Sequence, residues 1–335
     1  MTEASKAIEV SGIGKQYGSA TVVDNVTFDV FEGEIFGFLG PNGAGKTTLV
    51  RMLTTLIAPS RGSAKVAGFD VMKESAAVRR QIGVIPQAMT SDTDLTGYEN
   101  VDIYGRFYGI PAKDRKERIQ YLLEKVGLSA RANDLVASYS GGMRRRLEIA
   151  RVLVHRPKIL FLDEPTSGLD PQSRRAVWEQ LNTIRQESAM TLFLTTHYME
   201  EAEALCTRLA IIDAGKIVIL GSPQELKQHL PGKDTVSLSL EKFSDAIGEG
   251  IKNLPFVHQI YAEDNGIRIS VDIGASDLPA IMDVIRAAGG KVLSASVHEQ
   301  SLEDVFIHFT GRSIRDDGPK KVSLLTAGMI QRPGR

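Results

Sequence analysis

The chain predicts an α/β fold with a buried parallel sheet, followed by a smaller α+β domain, and three stretches carry that prediction. The first is Gly40-Pro41-Asn42-Gly43-Ala44-Gly45-Lys46-Thr47-Thr48, which fits the phosphate-binding pattern G-x-x-x-x-G-K-[ST]. The second is the continuous apolar run Ile159-Leu160-Phe161-Leu162, closed by Asp163-Glu164, as a central parallel strand requires. The third begins at Thr235 and reads strand, helix, strand, strand, helix, strand, a ferredoxin-like order.

Residues 7–31 alternate apolar and polar side chains (Ile8, Val10; Val22, Val26, Phe28, Val30), the mark of half-buried antiparallel strands, with Lys15-Gln16-Tyr17-Gly18 as the turn between them. Glu34–Leu39 reads as a buried strand and Thr47–Leu53 as the first turns of a helix, so the glycine stretch joins strand to helix. Its glycines let successive N–H groups point inward at phosphate oxygens, and the helix adds its positive dipole end. In this motif Lys46 reaches the β- and γ-phosphates and the Thr47 hydroxyl takes a place on Mg²⁺. Pro59–Gly62 is a turn, Ser63–Ala67 a short strand, and Ile82–Gln87 a strand ending in a polar residue.

From Met89 to Arg156 the pattern turns helical, over Gly97–Tyr108, Lys113–Val126 and from near Gly142, which predicts an inserted helical subdomain over about 89–156. After the 159–162 strand, a helix around Ser173–Glu187 and a strand Thr191–Thr196 restore the α/β alternation and end at His197. Open α/β sheets bind ligands at the carboxyl ends of their strands. Gln87, Asp163, Glu164 and His197 all fall there. The pattern changes near Ser222-Pro223, and the expected boundaries are a first domain over 1–228, a second over 232–311 and a flexible tail over 312–335. In the second domain we read strands at 235–240, 257–262, 267–272 and 291–297, helices at 243–252, 276–288 and 301–310, and a turn at Asp264-Asn265-Gly266. It holds no cluster of His, Cys or carboxylates that suggests chemistry.

A formal net charge of −1 gives no strong field toward nucleic acid or an anionic surface, and no nucleic-acid partner is expected. The single cysteine, Cys206, excludes an internal disulfide framework and reads as a buried small hydrophobe. The N-terminus lacks the apolar core of a signal peptide, and no apolar run approaches the length of a membrane span. A role at a membrane is therefore expected to go through a partner.

Asp163 ends an apolar strand, where a Mg²⁺-coordinating carboxylate stands in such a site. Glu164 beside it has no structural need to be acidic, and two adjacent buried carboxylates call for a cation. Glu164 is the candidate general base for an attacking water. Tyr139-Ser140-Gly141-Gly142-Met143-Arg144-Arg145-Arg146 is a second glycine stretch. Ser140 can cap the following helix, and the two glycines leave its end open to a close ligand. A capped helix start and an anion site both fit. The three arginines sit where the helix dipole disfavours cations; they suit a nearby phosphate or acidic surface, and a solvated face accounts for at least two of them.

Together, GPNGAGKTT, YSGGM and ILFLDEPTSGLD resemble the nucleotide-binding subunit of an ABC transporter, over about residues 7–225. The resemblance implies a P-loop NTPase core of the ABC type with an antiparallel β subdomain and a helical subdomain. It implies ATP and Mg²⁺ as ligands, with the loop Gly40, Pro41, Asn42, Gly43, Ala44, Gly45, Lys46, Thr47 and Thr48 around the phosphates. Tyr17 matches the aromatic that stacks on adenine, and Gln87 the glutamine that touches Mg²⁺ and the water and senses the helical subdomain. Asp163 and Thr47 complete the metal site. His197 matches the histidine on the γ-phosphate; without the resemblance it reads more often as a satisfied structural histidine. Ser167-Gly168-Leu169-Asp170 matches the loop that couples two sites, and Ser140, Gly141 and Gly142 match the stretch that caps the γ-phosphate of a second subunit.

Tyr139 stands in place of the commoner leucine and Met143-Arg144 in place of the commoner glutamine. With SLEDVFIHFTG at 301–311, these features resemble the daunorubicin-resistance branch. The resemblance implies an exporter ATPase that dimerises around two ATP, drives a separate permease and sits peripherally on the cytoplasmic face of the membrane. Drug, antibiotic or lipid-like cargo is expected. A soluble ABC-type ATPase acting on ribosomes or DNA is the rival from another class; those usually carry two cassettes in one chain or a long insertion, and this chain has one cassette and no basic extension. A non-catalytic ATP-binding module is a second rival, against which Lys46, Asp163, Glu164 and His197 stand intact.

Overall fold

In the computed structural model, residues 5–263, 266–311 and 323–324 are described. They fall into two compact units that part between Ser222 and Pro223. The first unit opens with two long strands, β1 (Lys6–Tyr17) and β2 (Ala20–Phe31), then β3 (Ile35–Leu39) and α1 (Lys46–Leu53). Next come β4 (Arg61–Val66), β5 (Phe69–Asp70), α2 (Ser75–Gln81) and β6 (Ile82–Ile85). A helical stretch holds α3 (Gly97–Phe107), α4 (Ala112–Lys125) and α5 (Gly141–Leu153). The unit closes with β7 (Ile159–Asp163), α6 (Pro171–Ser188), β8 (Thr191–Thr196), α7 (Met199–Leu205), β9 (Arg208–Asp213) and β10 (Lys216–Gly221).

Two sheets build this unit. β2-β1-β4-β5 form an antiparallel sheet, with Ile8 opposite Val30 and Val10 opposite Phe28. The second sheet runs β10-β9-β3-β8-β7-β6. Its members are parallel except for β10, which pairs antiparallel with β9. Every residue of β3, β7 and β8 is buried, as a parallel sheet covered on both faces demands. Phe28, Phe36, Phe38, Phe161 and Phe193 pack ring against ring in the core; Phe28 and Phe36 stack 5.3 Å apart, and Phe161 meets Phe193 at a tilt 5.4 Å away.

Local signals set the helix starts. Thr96 and Glu99 make a reciprocal capping box at the head of α3. Asp170 caps α6 by accepting from the Ser173 N–H at 2.9 Å, with Pro171 at the first helical position. α6 therefore begins at Pro171, ahead of the expected Ser173. β6 stops at Ile85, short of the expected Gln87, because the Pro86 and Gln87 carbonyls turn to Arg145. Tyr17, expected in a turn, is the last residue of β1, and the turn proper is Gly18 at φ 56°.

The second unit comprises α8 (Pro223–Lys227), β11 (Asp234–Leu240), α9 (Asp245–Lys252), β12 (Val257–Glu263), β13 (Gly266–Val271), α10 (Gly274–Ala287), β14 (Val292–Glu299), α11 (Leu302–Thr310) and β15 (Ser323–Leu324). Its sheet is antiparallel in the order β14-β11-β13-β12-β15. Without β15 this is the ferredoxin-like order expected. Ser301 and Asp304 form a second capping box that starts α11, and Gly311 ends it at φ 72°. Of the expected turn, Asp264 and Asn265 lie outside the described residues. So does the expected tail over 312–335, apart from Ser323–Leu324, which pair with β12.

Candidate functional site

Six predicted side chains come together near the ends of β3, β6, β7 and β8. Lys46, the first residue of α1, is buried, and its Nζ donates to the Gly40 carbonyl at 2.7 Å and the Pro41 carbonyl at 3.0 Å. The same Nζ lies 3.4 Å from Glu164 Oε1. The Thr47 hydroxyl donates to Asp163 Oδ1 at 3.2 Å, and the Thr195 hydroxyl donates to the same oxygen. Gln87 Nε2 donates to Glu164 Oε2 at 3.1 Å. His197 Nδ1 lies 3.2 Å from that oxygen, close but off the line of a hydrogen bond.

The loop geometry requires its glycines. Gly45 caps α1 in a left-handed conformation, φ 103°, with no side-chain cap, and a Cβ there would stand 2.7 Å from the Val22 carbonyl oxygen. Glu164 is also left-handed, at φ 48°, a strained setting for a residue with a side chain. Its N–H donates to the Thr195 carbonyl at 3.0 Å and reaches Thr195 Oγ1 at 3.2 Å, which holds the turn. Pro41, Asn42 and Gly43 form the exposed or half-exposed rim of the loop, Ala44 is buried beneath it, and Thr48 follows Thr47 into α1 half-buried.

Electrostatics follow from this packing. Burial pulls the Lys46 ammonium below its ordinary value, and the Glu164 and Asp163 charges work against that shift. For Glu164, burial pushes upward, but contact with His197 and the Lys46 charge outweigh it and hold the carboxyl below its ordinary value. The site thus sets a carboxylate whose charged form is favoured beside a buried lysine amine.

The donor set fits ATP with Mg²⁺. Two adjacent buried carboxylates, a hydroxyl and an amide carbonyl are oxygen donors of the kind Mg²⁺ takes. Among the described residues no group of three His, Cys, Asp or Glu side chains stands ready to hold a metal alone. Lys46 sits on carbonyls of its own loop, a position from which it can turn to an incoming phosphate.

The remaining predicted residues lie apart from this cluster in kind. Tyr17 is 48% exposed, with Lys15 Nζ 5.1 Å from its ring centre. Asp170 is exposed and spends its carboxylate on the α6 cap. Ser140 and Gly141 are exposed, and Ser140 caps α5 by accepting from the Met143 N–H. Gly142, expected in the open end of the helix, is instead buried: a Cβ there would stand 2.5 Å from Ser173 Oγ, so it is the contact of α5 with α6. Tyr139 is buried and its hydroxyl donates to the Arg131 carbonyl at 2.6 Å, over a glycine, Gly97, that leaves it room.

The arginines form no solvated face. Arg145 is wholly buried beside Glu148, while Arg144 and Arg146 are half-buried and donate to the Ala137 and Val126 carbonyls. Sequence reasoning missed Arg145, Glu148 and two further groups. Thr195 joins Asp163 to the Glu164 backbone, and its position at the end of the 191–196 strand was the available signal. Glu201 is fully buried, and its Oε1 accepts from Thr166 Oγ1 at 2.8 Å and Trp178 Nε1 at 2.9 Å. Burial pushes the Glu201 carboxyl upward. Nothing in its acidic surroundings, Glu200-Glu201-Ala202-Glu203, singled it out.

Residues 23–167 match the family model described as ABC transporter, and residues 221–310 match the model of the ATP-binding protein DrrA1-3-like C-terminal domain. The linearmycin resistance ATP-binding protein LnrL of Bacillus subtilis is 36% identical over 92% of this chain and 100% of its own length. The chain is an ATP-binding subunit of the ABC transporter family. It is also 39% identical to the daunorubicin/doxorubicin resistance ATP-binding protein DrrA of Streptomyces peucetius, over 94% of this chain and 96% of that protein. Among solved structures, the ATP-binding subunit of an ABC transporter matches with a TM-score of 0.60 at 28% identity, covering 67% of this chain and 92% of the other. A dimeric post-hydrolysis ATP-binding cassette bound to ADP and Pi matches with a TM-score of 0.58 at 25% identity, over 64% and 98%. This ABC-type ATPase therefore carries the family core and a DrrA-like C-terminal domain. No helix among the described residues is long and apolar enough to cross a membrane.

Proposed function

We propose that the chain binds ATP with Mg²⁺ at the Lys46 cluster, dimerises around two nucleotides and powers a separate permease from the cytoplasmic face of the membrane. The observation that carries this reading is the asymmetry of its two glycine stretches. The loop 40–48 meets Lys46, Asp163, Glu164, Gln87 and His197 within one chain, while Ser140 and Gly141 face solvent. A second copy supplies what each half lacks.

In this reading the loop N–H groups and Lys46 hold the β- and γ-phosphates, and Tyr17 stacks on the base. Thr47, Asp163 and Gln87 hold Mg²⁺, which supplies charge neutralisation to the transferring phosphoryl group. Glu164, ionised and 3.1 Å from Gln87, accepts the proton of the attacking water, and His197 faces the γ-phosphate. Ser140 and Gly141 of the second copy close over that phosphate, and Asp170 lies in the loop that couples the two sites. The exposed ring of Phe107 and the neighbouring Tyr108 belong to the surface that docks the permease. Residues 232–311 stabilise or regulate the dimer. Relatives named for linearmycin resistance, daunorubicin resistance and Nod factor export favour drug, antibiotic or lipid-like cargo.

Gel filtration of Glu164→Gln with ATP and Mg²⁺ tests the shared site. The substitution keeps size and hydrogen bonding but removes the base, which slows hydrolysis by about 10²–10⁴-fold. The expected result is a shift from monomer to dimer. A variant that binds ATP fully and stays monomeric, even with the permease present, overturns the reading.

A further inference from the structure

The sheet of the second unit ends differently on its two sides. β12 is covered by a later piece of the same chain, Ser323–Leu324, while β14 is the opposite edge, with no strand outside it among the described residues. An open edge offers unpaired N–H and C=O groups to another strand. Gln300 donates to the Lys233 carbonyl at 3.2 Å. By antiparallel alternation His298, Ser296 and Ser294 then turn their backbone groups toward β11, and Val297 and Ala295 turn theirs outward. The ladder to β11 is regular from Ser294 to Glu299.

The side chains do nothing to keep a partner away. Val292–Val297 reads Val-Leu-Ser-Ala-Ser-Val, without charge or proline, and Leu293 to Val297 are all exposed, Leu293 by 59% and Val297 by 38%. Val297 lies against the start of α10, where a Cβ on Gly274 would stand 2.3 Å from its Cγ1 and where Ile273 is also exposed. Charge sits only at the two ends. Glu299 faces a like charge, Asp234, across the β11 ladder, which is unfavourable for both. At the other end Lys291 makes only a long, exposed contact with Glu241, at 3.6 Å.

The strand is complementary to itself. Laid antiparallel on a copy of itself about Ala295, it sets Ala295 against Ala295, Ser294 against Ser296, Leu293 against Val297 and Lys291 against Glu299. Only Val292 against His298 is unmatched in kind. We propose that β14 is a docking edge for β14 of a second copy, paired antiparallel about Ala295. The pairing is two-fold, joins apolar to apolar and cation to anion, and gives Glu299 a counter-charge. One pair of eight-residue strands is far smaller than the about 1,200–2,000 Å² of a stable interface, so it does not hold two copies alone. It adds to the nucleotide-bridged contact as a second, intramolecular one. The inference rests on the dimer reading above and names the surface by which residues 232–311 serve it.

The chain's one native cysteine, Cys206, is buried, so a single added thiol is a clean probe. Full-length Ala295→Cys and Val297→Cys, each in the Glu164→Gln background with ATP and Mg²⁺, are treated with a short bifunctional thiol reagent. The register brings the two 295 backbones within about 5.5 Å of each other and keeps the two 297 backbones about 14 Å apart. Covalent dimers are expected at least about tenfold faster from Ala295→Cys. Equal rates, the mark of chance collision or another register, overturn the proposal. So does a 295 thiol that resists alkylation in the monomer, the mark of an edge covered by the chain itself. Lys291→Glu sets like charges face to face and is expected to raise the dimer dissociation constant about threefold to tenfold, with recovery on adding Glu299→Lys; no loss, or a loss without recovery, overturns the proposal. An ATP-loaded Glu164→Gln dimer without the 295 crosslink fails this inference alone. A Glu164→Gln monomer whose 295 thiols still crosslink selectively at raised concentration fails the shared-site reading alone.

Discussion

The two glycine stretches begin helices in opposite ways. At the first, Gly45 takes a left-handed conformation that no side chain could share, and the next residue, Lys46, turns inward to partners of its own chain. At the second, Ser140 caps α5 in an ordinary extended conformation, Gly141 is exposed with room for a side chain, and Gly142 is committed to packing. Under the proposed function, backbone strain and buried charge gather where the chemistry is prepared, and an unstrained, exposed turn serves where the second copy lands. The difference teaches that glycine alone does not mark a ligand site; what its neighbours are already bonded to does.

The largest test of that contrast sets Lys46→Ala against Ser140→Arg. Fluorescent-ATP titration of Lys46→Ala is expected to show affinity lowered by about tenfold to a hundredfold, the worth of a charge-assisted hydrogen bond. Ser140→Arg is expected to bind ATP as the wild type does while failing to dimerise in the Glu164→Gln background. Equal loss of binding in both variants breaks the comparison.

A smaller effect separates the neighbouring glycines. Gly142→Ala places a methyl 2.5 Å from Ser173 Oγ and 2.8 Å from its Cβ. Overpacking of this kind costs about 1–3 kcal/mol, read as a lower melting temperature. At Gly141 the nearest atom to an added Cβ is Leu169 Cδ2 at 3.5 Å, an ordinary contact. Gly141→Ala is expected to melt as the wild type does but to lower the ATPase rate. A drop in melting temperature for Gly141→Ala sinks that division of labour.

The smallest expected effect concerns pH. Glu201 is buried with its pKa raised above the ordinary 4.5, so the folded state holds its proton more tightly than the unfolded chain. Its contribution to stability is fully present below the unfolded value and is lost as pH rises through the folded one. Glu201→Gln stays neutral and keeps an acceptor for Thr166 and Trp178. Melting curves across the weakly acidic to neutral range are expected to lose this downward slope in the variant and to differ by a few degrees at most. Parallel curves for the two proteins refute the assignment.

Much of the site was legible because its residues end apolar strands. Asp163, Glu164 and His197 each follow a buried run, and Lys46 follows a glycine loop after another, so strand ends announced them. The buried charges of α5 were not legible. Arg145, Glu148 and Arg151 repeat at a helical spacing that reads equally as a solvated face, and their partners some sixty positions upstream are backbone carbonyls and amides and one threonine hydroxyl, which carry no charge signature. The packing of Gly142 was hidden for a related reason: a glycine beside an exposed one looks like part of the same opening, and its neighbour Ser173 belongs to another helix. The alternating pattern of the second unit foretold β11 to β14 and their order. β15 escaped notice because two residues in an aperiodic stretch give no period to read.

Trp178 is the chain's single tryptophan. Its indole N–H donates to the same Glu201 oxygen that accepts from Thr166, on the turn that follows Glu164. The protein therefore carries a built-in optical probe two hydrogen bonds away from the turn after Glu164, with no second indole to blur the signal. Any rearrangement of that turn on nucleotide binding or dimer closure alters the polarity around one fluorophore, so intrinsic emission follows the cycle in unlabelled protein.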